Sequence, residues 1–352
     1  MDHLGNADCH SPIGTFESRD SLQTISHELS LLTVPVNFWG LFCILKKTPK
    51  SMRLVKWPLF NLHVWTTVFD LMCGSLVIPF FFFPVLAGSP SGFMTYFGVP
   101  TLLQICITFC GFGGVCSGII YVFENRQYVL CENTNRFRLE NPTIRTIYYA
   151  FVFAYCCLSI YPFSWNIPEQ TTAKIRILDI IPCPNPEFFS NNTYVFKAPE
   201  DTAAFAYFGL CFTVFLSSQI SFFGGNCFYN LYALENVNLS AHSKRLQKKF
   251  FISICIQIFI PMWVVILPLS YFLFSLFSGY YNQSLNNLTS IFFSCHGFIA
   301  TICLLFMNPP YREATFRSLL ELLSICVPGV KRHLVECQRQ SKTSFIVSTV
   351  SK

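Results

Sequence analysis

The chain has 352 residues, of which 52% are hydrophobic, 17% aromatic and only 12% charged, and its mean hydropathy is +0.46. Soluble domains carry about 25% charged residues, so this composition excludes a soluble globular protein and indicates a membrane protein. The net charge of +6 does not indicate a nucleic-acid partner, because 20 of the 24 Lys and Arg residues lie in alternate loops and in the C-terminal tail.

Seven apolar runs are long enough to cross a bilayer, since a helix needs about 20 residues to span the hydrocarbon core. The runs are residues 29–45, 57–87, 98–123, 144–165, 202–234, 250–277 and 285–307. Basic residues gather in the first, third and fifth loops and in the tail, which the positive-inside rule places in the cytoplasm. We therefore predict an all-α membrane protein with the N-terminus outside and the C-terminus inside.

The predicted organisation has four parts. An extracellular segment of residues 1–28 precedes a seven-transmembrane-helix bundle of residues 29–311. Residues 312–327 carry an apolar stripe at helical spacing, which predicts an amphipathic helix on the inner leaflet. Residues 328–352 are polar and rich in Ser and Thr, which predicts a disordered cytoplasmic tail. Cys326, at the end of the surface helix, is a candidate for palmitoylation.

Small residues mark two of the predicted spans. Gly114 and Gly118 form a GxxxG pattern in the third span, and Ser217, Ser221 and Gly225 recur every fourth residue in the fifth. Small residues allow close packing of helix backbones, which is a main source of helix association in lipid. We therefore predict helix-packing faces at both places, although Gly is also common in membrane helices without a packing role.

Asp70 lies within the second predicted span, where an ionisable group is costly and usually faces the bundle interior. It is a candidate for ion binding, protonation or switching. The alternative is a structural hydrogen bond across the bundle, to Asn61 or to a polar group on another helix. Pro79 and Pro84 are expected to kink the outer half of this span.

Proline also occurs within the sixth predicted span, at Pro261 and Pro268. A kink there fits either a cytoplasmic lever or a static bend. Gln104, Gln257 and His296 are candidate ligand contacts, although His296 is better explained as a hydrogen-bonding group within the bundle. The sequence contains no nucleophile elbow, P-loop or metal-ligand cluster, so we predict no enzyme activity, no metal and no cofactor.

The second outer loop carries two candidate modifications. Cys183 faces an oxidising compartment and could pair with Cys106 or with Cys9, or could remain free. The sequon that begins at Asn191 is the best candidate for a glycan. Two further outer sequons, at Asn282 and Asn287, are expected to lie too near the membrane for glycosylation.

Short motifs follow one another in a fixed order along the chain. They are Met52-Arg53-Leu54-Val55-Lys56-Trp57, Asn61-Leu62-His63-Val64-Trp65 with Asp70, Gly98-Val99-Pro100-Thr101, Phe123-Glu124-Asn125-Arg126, Asn166-Ile167-Pro168-Glu169-Gln170, Ile181-Pro182-Cys183-Pro184 and Asn308-Pro309-Pro310-Tyr311-Arg312-Glu313. Together they resemble the nematode serpentine receptor class H family of chemoreceptors over about residues 29–326. This resemblance implies a receptor of ciliated sensory neurons that acts through a heterotrimeric G protein.

Two motifs depart from those of rhodopsin-like receptors. Glu124-Asn125-Arg126 occupies the place of an Asp-Arg-Tyr triplet, and Asn308-Pro309-Pro310-Tyr311 shortens the Asn-Pro-x-x-Tyr motif. The resemblance implies that Glu124, Asn125, Arg126, Asn308, Pro309 and Tyr311 belong to the switch region or face the G protein.

The predicted function is a chemosensory receptor of the plasma membrane, in the sensory cilium. A small-molecule ligand is expected to bind between helices near the outer half of the bundle and to favour the state that accepts the G protein. The alternatives are a subunit of a ligand-gated cation channel and, with less support, a small-solute transporter. A channel like the inverted insect odorant receptors requires an N-terminus inside, against the charge distribution.

Overall fold

The computed structural model describes residues 14–130, 138–158, 161, 165–232 and 241–326. Its main elements are seven long helices and an eighth that follows them. They are α1 Arg19–Lys46, α2 Arg53–Leu71, α3 Thr101–Leu130, α4 Pro142–Cys157, α5 Thr202–Tyr232, α6 Ala241–Ser278, α7 Gln283–Met307 and α8 Pro309–Cys326. Five of these, α1, α3, α5, α6 and α7, are long and apolar enough to cross a membrane. The predicted all-α membrane fold is confirmed.

The second predicted span is wrong in its outer half. The α-helix ends at Leu71, continues as a π-helix over Met72–Leu76, and then gives way to strand β1, Pro79–Phe81. Strand β2, Ala87–Pro90, pairs antiparallel with β1, and β3, Tyr194–Val195, pairs with β2. The chain leaves the helix at Ile78, whose φ of 45° lies outside the right-handed helical region, so Pro79 begins a strand and does not kink a helix.

The hairpin belongs to a compact layer that closes one end of the bundle. We call this layer the cap and define it as residues 77–92 and 165–198. Its apolar core draws on the hairpin, on the short helix Gln170–Leu178 and on the segment before β3. The buried core residues are Ile78, Phe80, Phe82, Val85, Ala87, Ala173, Ile177, Ile181, Phe188 and Val195, with Leu22 from α1. The cap therefore has its own hydrophobic core and is not a loose set of loops.

Amide side chains at the start of α7 fasten this layer to the bundle. Gln283 Nε2 donates to the carbonyl of Phe81 at 3.0 Å, and Asn286 Nδ2 donates to that of Phe83 at 3.0 Å. Asn287 Nδ2 donates to the carbonyl of Phe16 at 2.8 Å. Because buried carbonyls need donors, the amides of Gln283 and Asn286 satisfy backbone groups of the cap, while Asn287 binds the turn before α1.

Helix α3 lies at the centre and packs against α2, α4 and α5. A Cβ atom added to Gly114 would lie 2.2 Å from Trp65 of α2, and one added to Gly118 would lie 3.1 Å from Leu62. The predicted face on α5 has different surroundings. Ser217, Ser221 and Gly225 are exposed, and apart from its chain neighbours and the adjacent backbone of α5, no atom of the described residues lies within 4 Å of a Cβ on Gly225.

The prediction of a second packing face is therefore wrong for this chain on its own. Helix α5 instead buries large side chains at other positions, among them Phe212, Phe223 and Leu231. Apolar contact area decides which face of α5 turns inward here, and the small residues are left on the outside.

The limits of two predicted segments also differ from the structure. Helix α1 begins at Arg19, well before the apolar run, because the Ser18 side chain accepts a hydrogen bond from the backbone N–H of Ser21. Helix α8 begins at Pro309 rather than at residue 312. The Cys326 side chain and the predicted tail, residues 328–352, lie outside what the structure describes.

Candidate functional site

Asp70 is buried where α1, α2 and α7 meet, with 3% of its surface exposed. Its Oδ2 accepts a hydrogen bond from Asn37 Nδ2 at 3.0 Å, and its Oδ1 accepts one from the backbone N–H of Gly297 at 2.8 Å. A Cβ atom on residue 297 would lie 2.4 Å from Oδ2, so only glycine allows this approach. Of the two structural alternatives, the partner is therefore a group on another helix and not Asn61.

The hydrogen bonds continue from Asn37 to further groups. Its Oδ1 accepts from Thr301 Oγ1 at 2.6 Å, and its backbone carbonyl accepts from His63 Nε2 at 2.8 Å. All of these side chains are buried. We call Asn37, His63, Asp70, Gly297 and Thr301 the polar junction. Polar groups in a membrane interior are costly unless they are paired, and here they bind three helices to one another.

A small cavity of about 40 Å³ lies next to the junction, between α2, α3, α6 and α7. Its lining is mostly aliphatic, and its polar members are His63, Thr66, Gln257 and His296. His296 is 5% exposed, and its Nδ1 has no hydrogen-bond partner among the described residues. The structure thus places two of the three candidate ligand contacts, Gln257 and His296, at one cavity.

The third candidate, Gln104, lies elsewhere. Its Nε2 donates to the carbonyl of Val99 at 2.7 Å and lies 3.4 Å from Thr95 Oγ1. It is fully buried at the first turn of α3, on the cap side of the bundle. These contacts fix the turn that leads into α3, so Gln104 does not contribute to the cavity.

A column of aromatic rings fills the bundle between the cap and the cavity. Phe83 of the cap stacks on Phe272 of α6 with ring centroids 3.9 Å apart. Phe272 contacts Phe293 of α7 at 5.9 Å, and Phe69 of α2 lies 6.4 Å from Phe293 and 6.3 Å from His296. The ligand-binding position expected near the outer half of the bundle stays a prediction. The cavity lies on the other side of the column from the cap.

Arg126 connects α3 and α6 at the end of the bundle opposite the cap. Its Nη2 donates to the backbone carbonyl of Gln247 at 3.3 Å and also to the side-chain oxygen of Gln247. The guanidinium lies 4.6 Å over the ring of Phe250, a cation–π arrangement. Arg126 is 2% exposed, so its charge is enclosed in this conformation.

The neighbouring residues of the triplet bind other helices. Glu124 pairs with Arg145 of α4, whose Nη2 lies 2.8 Å from Oε2 and whose Nε lies 2.8 Å from Oε1. Asn125 Oδ1 accepts from Arg145 Nη2 at 2.9 Å, and Asn125 Nδ2 donates to the carbonyl of Leu54 at 3.0 Å. Glu124 therefore pairs with Arg145 and not with Arg126, whose partner is Gln247 of α6.

The closing motif of α7 also has defined partners. Asn308 Nδ2 donates to the carbonyl of Leu304 at 2.8 Å and lies 3.4 Å from Gln257 Oε1. Pro309 is the first residue of α8, and Tyr311 is fully buried with its hydroxyl 2.8 Å from Thr48 Oγ1. Gln257 thus contacts both the cavity and the end of α7.

In the cap, Cys183 is disulfide-bonded, whereas Cys106 is a free thiol. The predicted pairing of these two residues is therefore wrong. Its alternative, Cys9, lies outside the described residues, so that pairing stays a prediction. Asn191 is exposed on a turn, while Asn287 is 2% exposed and its amide is hydrogen-bonded.

Sequence reasoning missed several partners at these sites, namely Asn37, Thr301, Gln247 and Arg145. Asn37 gave a usable signal, because it is an amide within an apolar run. Gln247 gave none, since it lies in a basic stretch where polar residues are expected.

The described residues form seven long helices. The buried Asp70 joins three of them, and Arg126 is enclosed at the end of the bundle opposite the cap. This arrangement is that of a seven-transmembrane receptor. The family model described as "Serpentine type 7TM GPCR chemoreceptor Srh" matches residues 17–321, and the chain belongs to this family. Serpentine receptor class H-72 of Caenorhabditis elegans is 29% identical over 295 residues, which cover 84% of each chain. The protein is therefore a chemosensory multi-pass membrane receptor, and its family is one of receptors rather than enzymes.

Proposed function

We propose that this protein binds a small-molecule ligand between its helices and then activates a heterotrimeric G protein. The N-terminus and the cap face the outside, the opposite end faces the cytoplasm, and the receptor acts in the plasma membrane of a sensory cilium. The charge distribution supports this orientation, because 20 of the 24 Lys and Arg residues lie in the loops and tail that the positive-inside rule assigns to the cytoplasm. The family supports the sensory role.

The observation that carries the proposal is the position of Gln257 on α6. It lines the cavity, lies 3.4 Å from Asn308, and is on the same helix as Gln247, which holds Arg126. Proline at position 261 has no N–H to donate to the carbonyl of Gln257, so α6 lacks one helical hydrogen bond beside the cavity. A ligand in the cavity would therefore contact the part of α6 that bends most easily.

Movement of the inner part of α6 would separate Gln247 from Arg126 and expose the guanidinium to the cytoplasm. Only a ligand that binds the open state more tightly can shift the population toward it. The exposed Arg126, with the exposed basic residues Arg245 and Lys249 nearby on α6, then forms the surface that contacts the G protein.

Two substitutions at the Arg126–Gln247 contact test this mechanism. Gln247→Ala removes the side-chain contact that holds α6 and should raise G-protein activation without ligand. Arg126→Ala removes the group offered to the G protein and should abolish activation by any ligand. Arg176→Ala, which removes an arginine from an exposed ion pair in the cap, is the control. G-protein activation and surface level are measured for each in the same cells.

Three outcomes would contradict the proposal. Equal loss of surface protein in both variants would show that the contact only holds the fold together. Normal ligand-dependent activation in Arg126→Ala would remove the proposed role of this residue. Ligand-dependent currents in cells that lack the G protein would favour a channel instead.

A further inference from the structure

The polar groups of the cavity indicate what kind of ligand it accepts. His296 Nδ1 is buried at the cavity without a hydrogen-bond partner among the described residues. The carbonyl of Gln257 lacks the donor that a residue other than proline would supply at position 261. A buried polar atom gains from a partner, and ligand sites typically combine an apolar lining with a few such groups.

The same lining disfavours a charged ligand. None of the described residues around the cavity is an Asp, Glu, Lys or Arg. Most of its walls are aliphatic side chains, such as Leu62, Val115, Ile258 and Met262. An ion brought into such surroundings loses its hydration without gaining a partner of opposite charge, and this costs several kcal/mol or more.

The route to the cavity supports the same conclusion. On the cap side, the stacked rings of Phe83 and Phe272 and the rings of Phe293 and Phe69 occupy the interior of the bundle. The cap lies at the other end of this column from the cavity, and the hairpin of the cap is buried. A ligand that cannot pass directly from the outer solution must reach the helices through the lipid, and only a molecule that dissolves in lipid does so readily.

Size sets a further condition. A volume of about 40 Å³ admits water but not an organic molecule. The walls must therefore move apart on binding, and the missing hydrogen bond at Pro261 makes α6 the wall most able to move.

We propose that the ligand is an uncharged, membrane-permeant, largely apolar molecule with one hydrogen-bonding group, which binds to His296 Nδ1. This inference rests on the proposed function, since it names the class of ligand that the receptor recognises. Alcohols and ketones of low molecular weight fit it, whereas hydrocarbons lack the polar group and carboxylates and amines carry a charge.

The test uses matched sets of compounds, each set comprising a hydrocarbon, an alcohol, a ketone, a carboxylate and a primary amine on one carbon skeleton. G-protein activation is recorded in cells with measured surface levels of the receptor. We expect activation by an alcohol or a ketone in at least one set, at concentrations where the other three compounds of that set are inactive.

Substitutions then connect the response to the cavity. His296→Phe keeps an aromatic ring but removes the nitrogen, and should raise the half-maximal concentration of the active compound by about 3- to 10-fold, the value of one hydrogen bond. His27→Phe is the control, because His27 packs on Phe93 and does not line the cavity. If His296→Phe does not reach the surface, Val115→Leu, which enlarges an apolar side chain in the wall of the cavity, is expected to weaken the same response.

Three results would overturn the ligand class while leaving coupling to the G protein intact. One is activation by a carboxylate or amine at least as strong as that by the alcohol and ketone of its set. Another is an equal response in the His296→Phe and His27→Phe variants. The third is that no compound activates the receptor while Gln247→Ala raises G-protein activation. If Gln247→Ala also has no effect, the proposed function fails.

Discussion

Gly114 and Gly225 both lie in apolar helices, yet their surroundings are opposite. A Cβ atom at position 114 would overlap Trp65 of α2, whereas one at position 225 would have no neighbour among the described residues. The identity of a residue in the sequence does not reveal this difference. It depends on the rotation of each helix about its axis, which the whole bundle determines.

We predict that Gly114→Ala destabilises the receptor and that Gly225→Ala does not. Overpacking costs about 1–3 kcal/mol, and the indole of Trp65 lies too close to the new methyl group to avoid moving. At position 225 the same change should be neutral or stabilising by up to about 1 kcal/mol, because alanine has a higher helix propensity than glycine. Thermal unfolding of the two purified variants compares them, and an equal loss in both would disprove the packing role of Gly114.

The contacts of Asp70 show how much the sequence predicts about a single residue. A carboxylate in an apolar run predicts burial and an important role, because the cost of placing it in a membrane must be offset. Its partners, Asn37 and Gly297, belong to helices far away in sequence. Which of the several polar groups in the spans binds the carboxylate depends on helix position, so the sequence alone left Asn61 open as an alternative.

Glu169 allows a prediction about pH outside the membrane spans. Hydrogen bonds from Thr172 and Thr171 to its carboxylate lower the pKa of this group to about 2. Because the pKa of Glu169 is lower in the folded state, its capping of helix Gln170–Leu178 contributes its full stabilisation above the ordinary pKa of glutamate. The contribution is lost as the pH falls toward 2.

Amide hydrogen exchange at Thr171 and Thr172 should therefore become faster, beyond its intrinsic pH dependence, as the pH is lowered from neutral toward 2. In Glu169→Gln, which cannot ionise, this additional change should disappear. A wild-type profile identical to that of the glutamine variant would show that the carboxylate does not cap the helix in solution.

At the scale of single elements, five of the seven predicted spans correspond to helices long and apolar enough to cross a membrane, whereas the prediction failed at the end of the second. The run 57–87 is apolar throughout, so hydropathy alone extends it as a helix. The structure uses its second part, rich in Phe and Pro, as a buried hairpin. An apolar core outside the bilayer has the same composition as a membrane span, and composition therefore could not separate the two.

The hairpin depends on donors from α7, which leads to a prediction. Asn286→Ala leaves the buried carbonyl of Phe83 without its donor, and an unsatisfied buried group costs about 1–3 kcal/mol. We expect faster hydrogen exchange over residues 78–90 and lower thermal stability. Asn226→Ala is the control, because the amide of Asn226 binds only the carbonyl of Phe222 in its own helix. If both variants behave alike, the amides of α7 do not hold the cap.

At the scale of the whole molecule, the bundle separates two kinds of surface. The cap end carries the disulfide-bonded Cys183 and few basic residues, while the opposite end carries the Arg126–Gln247 contact and the exposed Arg245 and Lys249 of α6. Charge patterning could predict this asymmetry because it depends on counts and not on geometry. The cavity, in contrast, arises from contacts among four helices, and no local pattern predicts its depth in the bundle.

Glycan mapping tests the orientation directly. Asn191 is exposed on the cap, Asn287 is buried by its contact with the backbone of Phe16, and Asn238 belongs to a sequon in a loop predicted to face the cytoplasm. We expect a glycosidase-sensitive shift in electrophoretic mobility that Asn191→Gln abolishes and that Asn238→Gln leaves unchanged. Asn287→Gln should leave the shift unchanged too, because a glycan at residue 287 is incompatible with the folded cap. A shift that survives Asn191→Gln but is lost in Asn238→Gln would place the basic fifth loop outside the cell. The N-terminus would then lie inside, and the proposed coupling of Arg126 to a cytoplasmic G protein would be impossible.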